Sequence, residues 1–261
     1  MDGKLLQTHF GRIGARALVR EDAPGDSVRL DIRADRRGQY FDVLTPGDAD
    51  AKVLDADRSL RHLLLMSVDG RGEKRRFLCG HDEREWFVAA VPGRSITRVR
   101  DAMEALKPQP VLALQARVGL KAGERLRRHT AAYIRQGEWF FLPGSPVAIR
   151  DWMVLRNEPL SRGPGSKPHM VDLLYREGGQ TVFVARQLNR VLTPEEYSQF
   201  LRDRPEAKSW SWATRRVNPT VFVRGRVRHP DHATVHLSGW HQVVMNTEAE
   251  APGARQVMFL D

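Results

Sequence analysis

Short runs of β-branched and aromatic residues, each closed by a glycine, proline or aspartate turn signal, recur along most of this chain. Such punctuation leaves little room for long helices and favours antiparallel strands joined by tight turns. Segments 15–20, 27–34 and 39–44 read as strands, separated by turn signals at 23–26, 36–38 and 46–48. A clearer meander follows. Residues 60–68 form an apolar run, 69–72 turn the chain, 74–79 continue, and 86–91 return, the pattern of an antiparallel sheet covered on one face.

The middle of the chain changes period. Val99, Met103 and Leu106 fall at helical spacing and Pro108 ends the stripe. Residues 111–118 suit strand or helix equally. Residues 124–136 read as an amphipathic helix with Arg125 and Arg128 on its polar side, and 138–142 as a short strand ending at Pro143. In the last third, 147–155 reads as a strand. Ser166 reads as the cap of a helix burying Met170, Leu173 and Leu174, with Gly178 and Gly179 at its end. Residues 181–185 read as a strand. Thr193, Pro194 and Glu196 spell a capping box in front of a helix that buries Tyr197, Phe200 and Leu201. A closing strand is expected at 257–260. The fold class expected is α+β: a β-rich N-terminal half with a meander, a helical middle, and a C-terminal α+β half ending in a β-hairpin. Pro143–Pro146 is the place to divide it, into 1–143 and 144–261.

The stretch from Arg224 to His241 holds three arginines and four histidines. Strand alternation from 220 to 228, a turn at His229-Pro-Asp-His232 and renewed alternation from 233 make it a hairpin. Period two then puts Arg224, Arg226 and Arg228 on one exposed face and Val221, Val223 and Val227 on a buried one. The net charge is +10 and the isoelectric point about 10.3, a balance that suits polyanionic partners. Arginine far outnumbers lysine, and its planar fork matches phosphate. The leading expectation is therefore a basic nucleic-acid-binding protein with RNA preferred, tracking phosphates through Arg224, Arg226 and Arg228. Arg162, Lys167 and the helix N-terminus after Ser166 would share that surface.

A second reading is chemical. His229, His232, His236 and His241 can offer imidazole nitrogens to a divalent metal ion, with Asp231 between the first two. His229, Asp231, His232 and His236 would then be the catalytic group of a metal-assisted phosphodiester hydrolase. A third reading is a non-catalytic subunit whose basic face binds an acidic protein. His169 is expected to join the histidines if the loop at 161–169 meets the hairpin.

Other motifs exclude more than they offer. Gly163 to His169 lacks the order of a Walker loop, and Gly11-Arg-Ile-Gly14 lacks the third glycine of a dinucleotide fingerprint. Cys79 and His81 could pair as nucleophile and base, but a buried thiol behind a turn is the plainer reading. Trp139, Trp210, Trp212 and Trp240 could stack bases, although strand aromatics more often fill a core. One cysteine permits no intrachain disulfide and no cysteine-rich zinc site, and it favours a reducing compartment. With no secretory apolar core and no run long enough to span a bilayer, the expected location is the cytoplasm, with no membrane partner.

Overall fold

A computed structural model describes residues 2–21, 23–162, 166–188 and 190–251. The strand expected at 257–260 and the Gly163-Pro-Gly165 stretch lie outside the described residues. The fold is mixed α+β, with a β-rich N-terminal half, helices in the middle and a C-terminal sheet. Two compact units divide the chain. Among the described residues, the first comprises those within 2–141, 230–233 and 244–251, and the second those within 142–229 and 234–243.

The first unit opens with α1 (Gly3–Arg12), a stretch the sequence reading leaves unassigned. Its start is fixed by Asp2, whose carboxylate accepts the Lys4 backbone N–H. Leu6 and Phe10 bury its inner face. Strands β1 (Ala17–Arg20), β2 (Arg29–Asp35) and β3 (Gly38–Leu44) form a small sheet in the order β1-β3-β2. A meander follows: β4 (Asp50–Asp57), β5 (His62–Val68), β6 (Lys74–Asp82) and β7 (Glu85–Ala90).

This meander is covered on both faces, not one. Leu63, Leu65 and Cys79 pack with Leu6, Phe10 and Phe41. Leu64 and Leu78 pack with Val91, Val99 and Ala102. Two buried faces explain why the run at 63–66 is continuously apolar instead of alternating. Val99 opens α2 (Val99–Ala105), and its backbone N–H is accepted by Asp55 of β4 at 2.8 Å. The ambiguous run at 111–118 is helical, α3 (Gln109–Arg117).

The helix expected over 124–136 is reduced to α4 (Ala122–Arg125), followed by a turn and the hairpin β8 (Ile134–Gln136) and β9 (Trp139–Pro143). Local hydrogen bonds explain the loss. The Thr130 hydroxyl accepts the backbone N–H groups of Ala132 and Tyr133, and the buried Tyr133 hydroxyl donates to the Arg125 carbonyl. Side chain–backbone bonds of this kind compete with the helical ladder.

The second unit contains β10 (Leu155–Leu160), β11 (His169–Glu177), β12 (Gln180–Ala185), α5 (Pro194–Asp203), β13 (Trp212–Val217), β14 (Thr220–His229) and the middle of β15 (His232–Met245). Residues 147–154 are not a strand; a 3-10 turn occupies Asp151–Met153. The helix expected after Ser166 does not form. Residues 169–177 instead pair with β10 on one side and β14 on the other, in the order β10-β11-β14-β15. Val171 and Leu174 are fully buried there, so tertiary pairing overrides a local pattern that fits either structure. Strands β12 and β13 form a separate antiparallel ribbon, and α5 follows β12. The capping box of α5 is present: Thr193 accepts the Glu196 N–H and Glu196 accepts the Thr193 N–H.

Candidate metal centre and basic surfaces

Hairpin β14–β15 turns on Pro230 and Asp231, so His229 and His232 flank a two-residue connection. On the other side of β14, Met170 is opposite Arg228 and Val171 is opposite Val227. One further step of that register places His169 opposite His229. Their rings stack, with centroids 4.2 Å apart and planes 23° apart. His169, His229 and His232 thus form a row at one end of neighbouring strands. A ligand nitrogen from each lies within 4.8 Å of the other two. His232 follows His229 across the two-residue turn.

A tetrahedral zinc centre with Zn–N near 2.1 Å has its nitrogens about 3.4 Å apart. To close on one ion the nitrogens would have to draw in from within 4.8 Å, and the His169 and His229 rings would have to turn out of their stack so that both ring planes meet the metal. His169 is almost wholly buried, while His229 and His232 are half-buried, so one ligand is anchored in the sheet and two stand toward its end. Within the first unit, Glu83 lies 3.8 Å from His232 Nδ1 and accepts the Ala233 backbone N–H. A carboxylate near a ligand histidine can orient its ring.

Of the four histidines singled out as ligands, only His229 and His232 belong to this row. His236 is exposed on β15, and His241 is buried with Nδ1 donating to the Gly239 carbonyl at 2.9 Å. Strand geometry separates them, because each pair of residues advances about 6.6 Å along a strand. Asp231 sits in the turn, outside the histidine group. His169 takes the third place, brought in by strand pairing rather than by a helix N-terminus.

The three hairpin arginines do not share a face. Between Val171 and Leu173 the register with β14 shifts by one residue. Gly225 carries the extra residue in a left-handed conformation, φ +93°. A bulge with glycine in that conformation breaks the alternation. Arg228 is opposite Met170 and Arg224 opposite Leu173, and residues an odd number apart on β11 face opposite ways. Arg224 therefore lies on the face of His169 and His229, and Arg226 and Arg228 lie on the other.

There they are already engaged. Asp172 accepts Arg226 Nε at 3.0 Å, the Arg226 backbone N–H at 3.0 Å and Arg228 Nη2 at 3.2 Å. Arg226 first, through side-chain and backbone hydrogen bonds, and Arg228 by charge, hold the Asp172 carboxyl below the usual carboxylate range. Arg228 also donates to Asn157 Oδ1. Arg162 and Lys167 are exposed, and among the described residues no helix starts after Ser166.

Arg125 and Arg128, expected as helpers on a helix, are used internally. Arg125 Nε donates to the Leu120 carbonyl at 2.9 Å. Arg128 pairs with Asp82 and Glu83. Asp82 is buried, which alone would raise its carboxyl, but Arg135 and Arg128 outweigh that and hold it low. Cys79 is fully buried, and burial pushes its thiol far up, so it is not a nucleophile at neutral pH. Of the tryptophans, Trp139 is buried, while Trp210, Trp212 and Trp240 are half-exposed. Among the described residues no helix is long and apolar enough to cross a membrane.

No family model, curated protein or solved structure matches this chain.

Proposed function

We propose that this chain is a metal-dependent hydrolase of phosphodiester substrates. The observation that carries the reading is the row His169, His229 and His232, whose ligand nitrogens lie within 4.8 Å of one another. Three protein nitrogens leave a fourth position for water, the arrangement of catalytic zinc sites. A metal held by these histidines would supply an activated water and a Lewis acid for the phosphoryl oxygen. Hydrolysis adds water's oxygen to phosphorus and breaks the ester P–O bond, and the leaving oxygen takes a proton. The substrate class follows from the net charge of +10 and from exposed Arg224 on the histidine face. A lone, buried cysteine suits a reducing compartment, and a cytoplasmic location belongs to the same proposal.

The test is metal analysis of protein purified without a histidine tag, followed by hydrolysis of bis(p-nitrophenyl) phosphate with zinc or manganese added. About one equivalent of metal and turnover that His169→Ala and His229→Ala both abolish are expected. Less than about a tenth of an equivalent, with no thermal shift on adding either metal, would sink the reading. A second reading, nucleic-acid binding without chemistry, is favoured by the +10 charge. Filter retention of RNA by metal-free protein, with no hydrolysis under any metal, selects it.

A further inference from the structure

In the second unit, β12, α5 and β13 make a small lobe whose aromatic side chains are unlike those of the main cores. Phe183 of β12 stacks on Tyr197 of α5, centroids 4.0 Å apart and planes 11° apart. Trp212 of β13 meets Tyr197 edge-on at 4.8 Å. Trp210 lies nearly parallel to Trp212 at 5.9 Å and tilts against Phe200 at 5.7 Å. All five rings are only half-buried. In the main cores, by contrast, Phe10, Phe41 and Phe141 are 0% exposed. A ten-residue helix on a two-stranded ribbon is too thin to close over five rings, so their π-faces and edges stay accessible.

Cations surround this aromatic face. Register fixes which ones. Phe183 is opposite Thr214, so Trp212, Thr214 and Arg216 share the face turned to α5, and Arg215 points the other way. Arg204 lies over the Phe200 ring at 5.4 Å, and exposed Lys208 precedes Trp210 by two residues. Among the described residues, Arg204, Lys208 and Arg216 form no ion pair; Arg216 donates only to the Gly178 carbonyl. Arg226 and Arg228 of the hairpin, by contrast, are held by Asp172. The acidic groups Glu195 and Glu196 sit in the first turn of α5, roughly 9 Å from its last turn, where Asp203 and, just beyond it, Glu206 are the remaining carboxylates.

We infer that this lobe is a binding surface for single-stranded nucleic acid: bases stack on Trp210 and its neighbours while Arg204, Lys208 and Arg216 take the phosphates. Accessible aromatic rings interleaved with unpaired cations form the combination that suits unpaired, unstacked bases. A folded acidic protein would use the cations but leave the rings without partners. The inference does not depend on the metal centre, and its test runs in chelator so that the two fail separately.

Fluorescence anisotropy of a labelled oligothymidine, in EDTA and low salt, measures binding, with heparin as a polyanion that lacks bases. Wild-type protein is expected to bind both. Trp210→Ala weakens oligothymidine about tenfold and leaves heparin within about twofold, and Trp210→Phe restores most of the affinity. Arg216→Glu weakens both ligands about tenfold, whereas Arg215→Glu, the same charge change on the opposite face, costs about threefold or less. Because Arg215 and Arg216 are exposed strand residues, this pair reads out even if Trp210→Ala unfolds the lobe. The inference is overturned by any of three results: no retention of oligothymidine by wild-type protein, equal losses for Arg215→Glu and Arg216→Glu, or a folded Trp210→Ala that keeps oligothymidine affinity or loses heparin in step with it.

Discussion

Asp172 and Arg226 are joined three times: the carboxylate accepts the Arg226 backbone N–H and its guanidinium Nε, each at 3.0 Å, and its Nη2 at 3.5 Å. The bulge at Gly225 makes this possible, because it sets Arg226 beside Asp172 instead of leaving it in line with Arg224. A carboxylate thereby masks two of the three arginines that read in the sequence as a stripe. Asp172→Asn should release Arg226 and Arg228. The expected outcome is later elution from heparin with little change in melting temperature, since exposed ion pairs contribute little to stability. Unchanged elution would show that the two arginines are not neutralised in solution.

Gly225→Ala should do the reverse of a conservative change. An alanine Cβ would meet the Asp172 Cβ at 2.9 Å, and φ +93° is strained for any L side chain. A loss of about 1–3 kcal/mol is expected by denaturant titration. The histidine row shares this strand, so zinc stoichiometry should fall with it.

Metal retention should depend on pH in one direction. A metal competes with protons for imidazole nitrogen, so occupancy is complete well above the ordinary imidazole pKa of about 6.5 and is lost below it. Dialysis at a series of pH values followed by metal analysis checks this. Retention that is flat down to pH 4 would mean that carboxylates, not His169, His229 and His232, hold the ion.

Stability of the first unit should fall in mild acid through His62. Its Nδ1 donates to the Leu60 carbonyl and its ring meets Phe87 edge-on at 5.4 Å. Burial lowers its pKa below the ordinary 6.5. A depressed base binds fewer protons folded than unfolded. Its contribution is therefore whole above pH 6.5 and is lost as the pH falls toward the folded pKa. His62→Gln should flatten the melting-temperature profile between pH 6.5 and 5. Gly80 makes room for the ring: a Cβ there would meet His62 Cδ2 at 2.7 Å and Phe87 Cε1 at 2.8 Å, so Gly80→Ala should cost about 1–3 kcal/mol at any pH.

Removing the cap of α5 tests how separately its lobe melts. Thr193→Ala loses the bond to the Glu196 N–H and should cost about 1 kcal/mol. Hydrogen exchange should rise in α5, β12 and β13 before it rises in β5 or β6.

The sequence by itself determined the elements whose signals are local. The meander turns, the stop at Pro108, the capping box at Thr193 and the hairpin turn at Pro230-Asp231 rest on backbone preferences of a few adjacent residues, and the structure has them all. His229 and His232 were legible for the same reason, since one turn joins them. Tertiary structure decided the rest. Residues 169–177 fit a helix or a strand equally until β10 and β14 pair with them, and that pairing alone carries His169 to His229. The Tyr133 hydroxyl and the Thr130 side chain end what reads as a helix from 124. One glycine in the left-handed region reverses the facing of every residue beyond it, so Arg224 parts from Arg226 and Arg228. Periodicity assumes an unbroken repeat, and a single extra residue, stabilised by contacts with a neighbouring strand, breaks it without changing the local composition from which a strand is read.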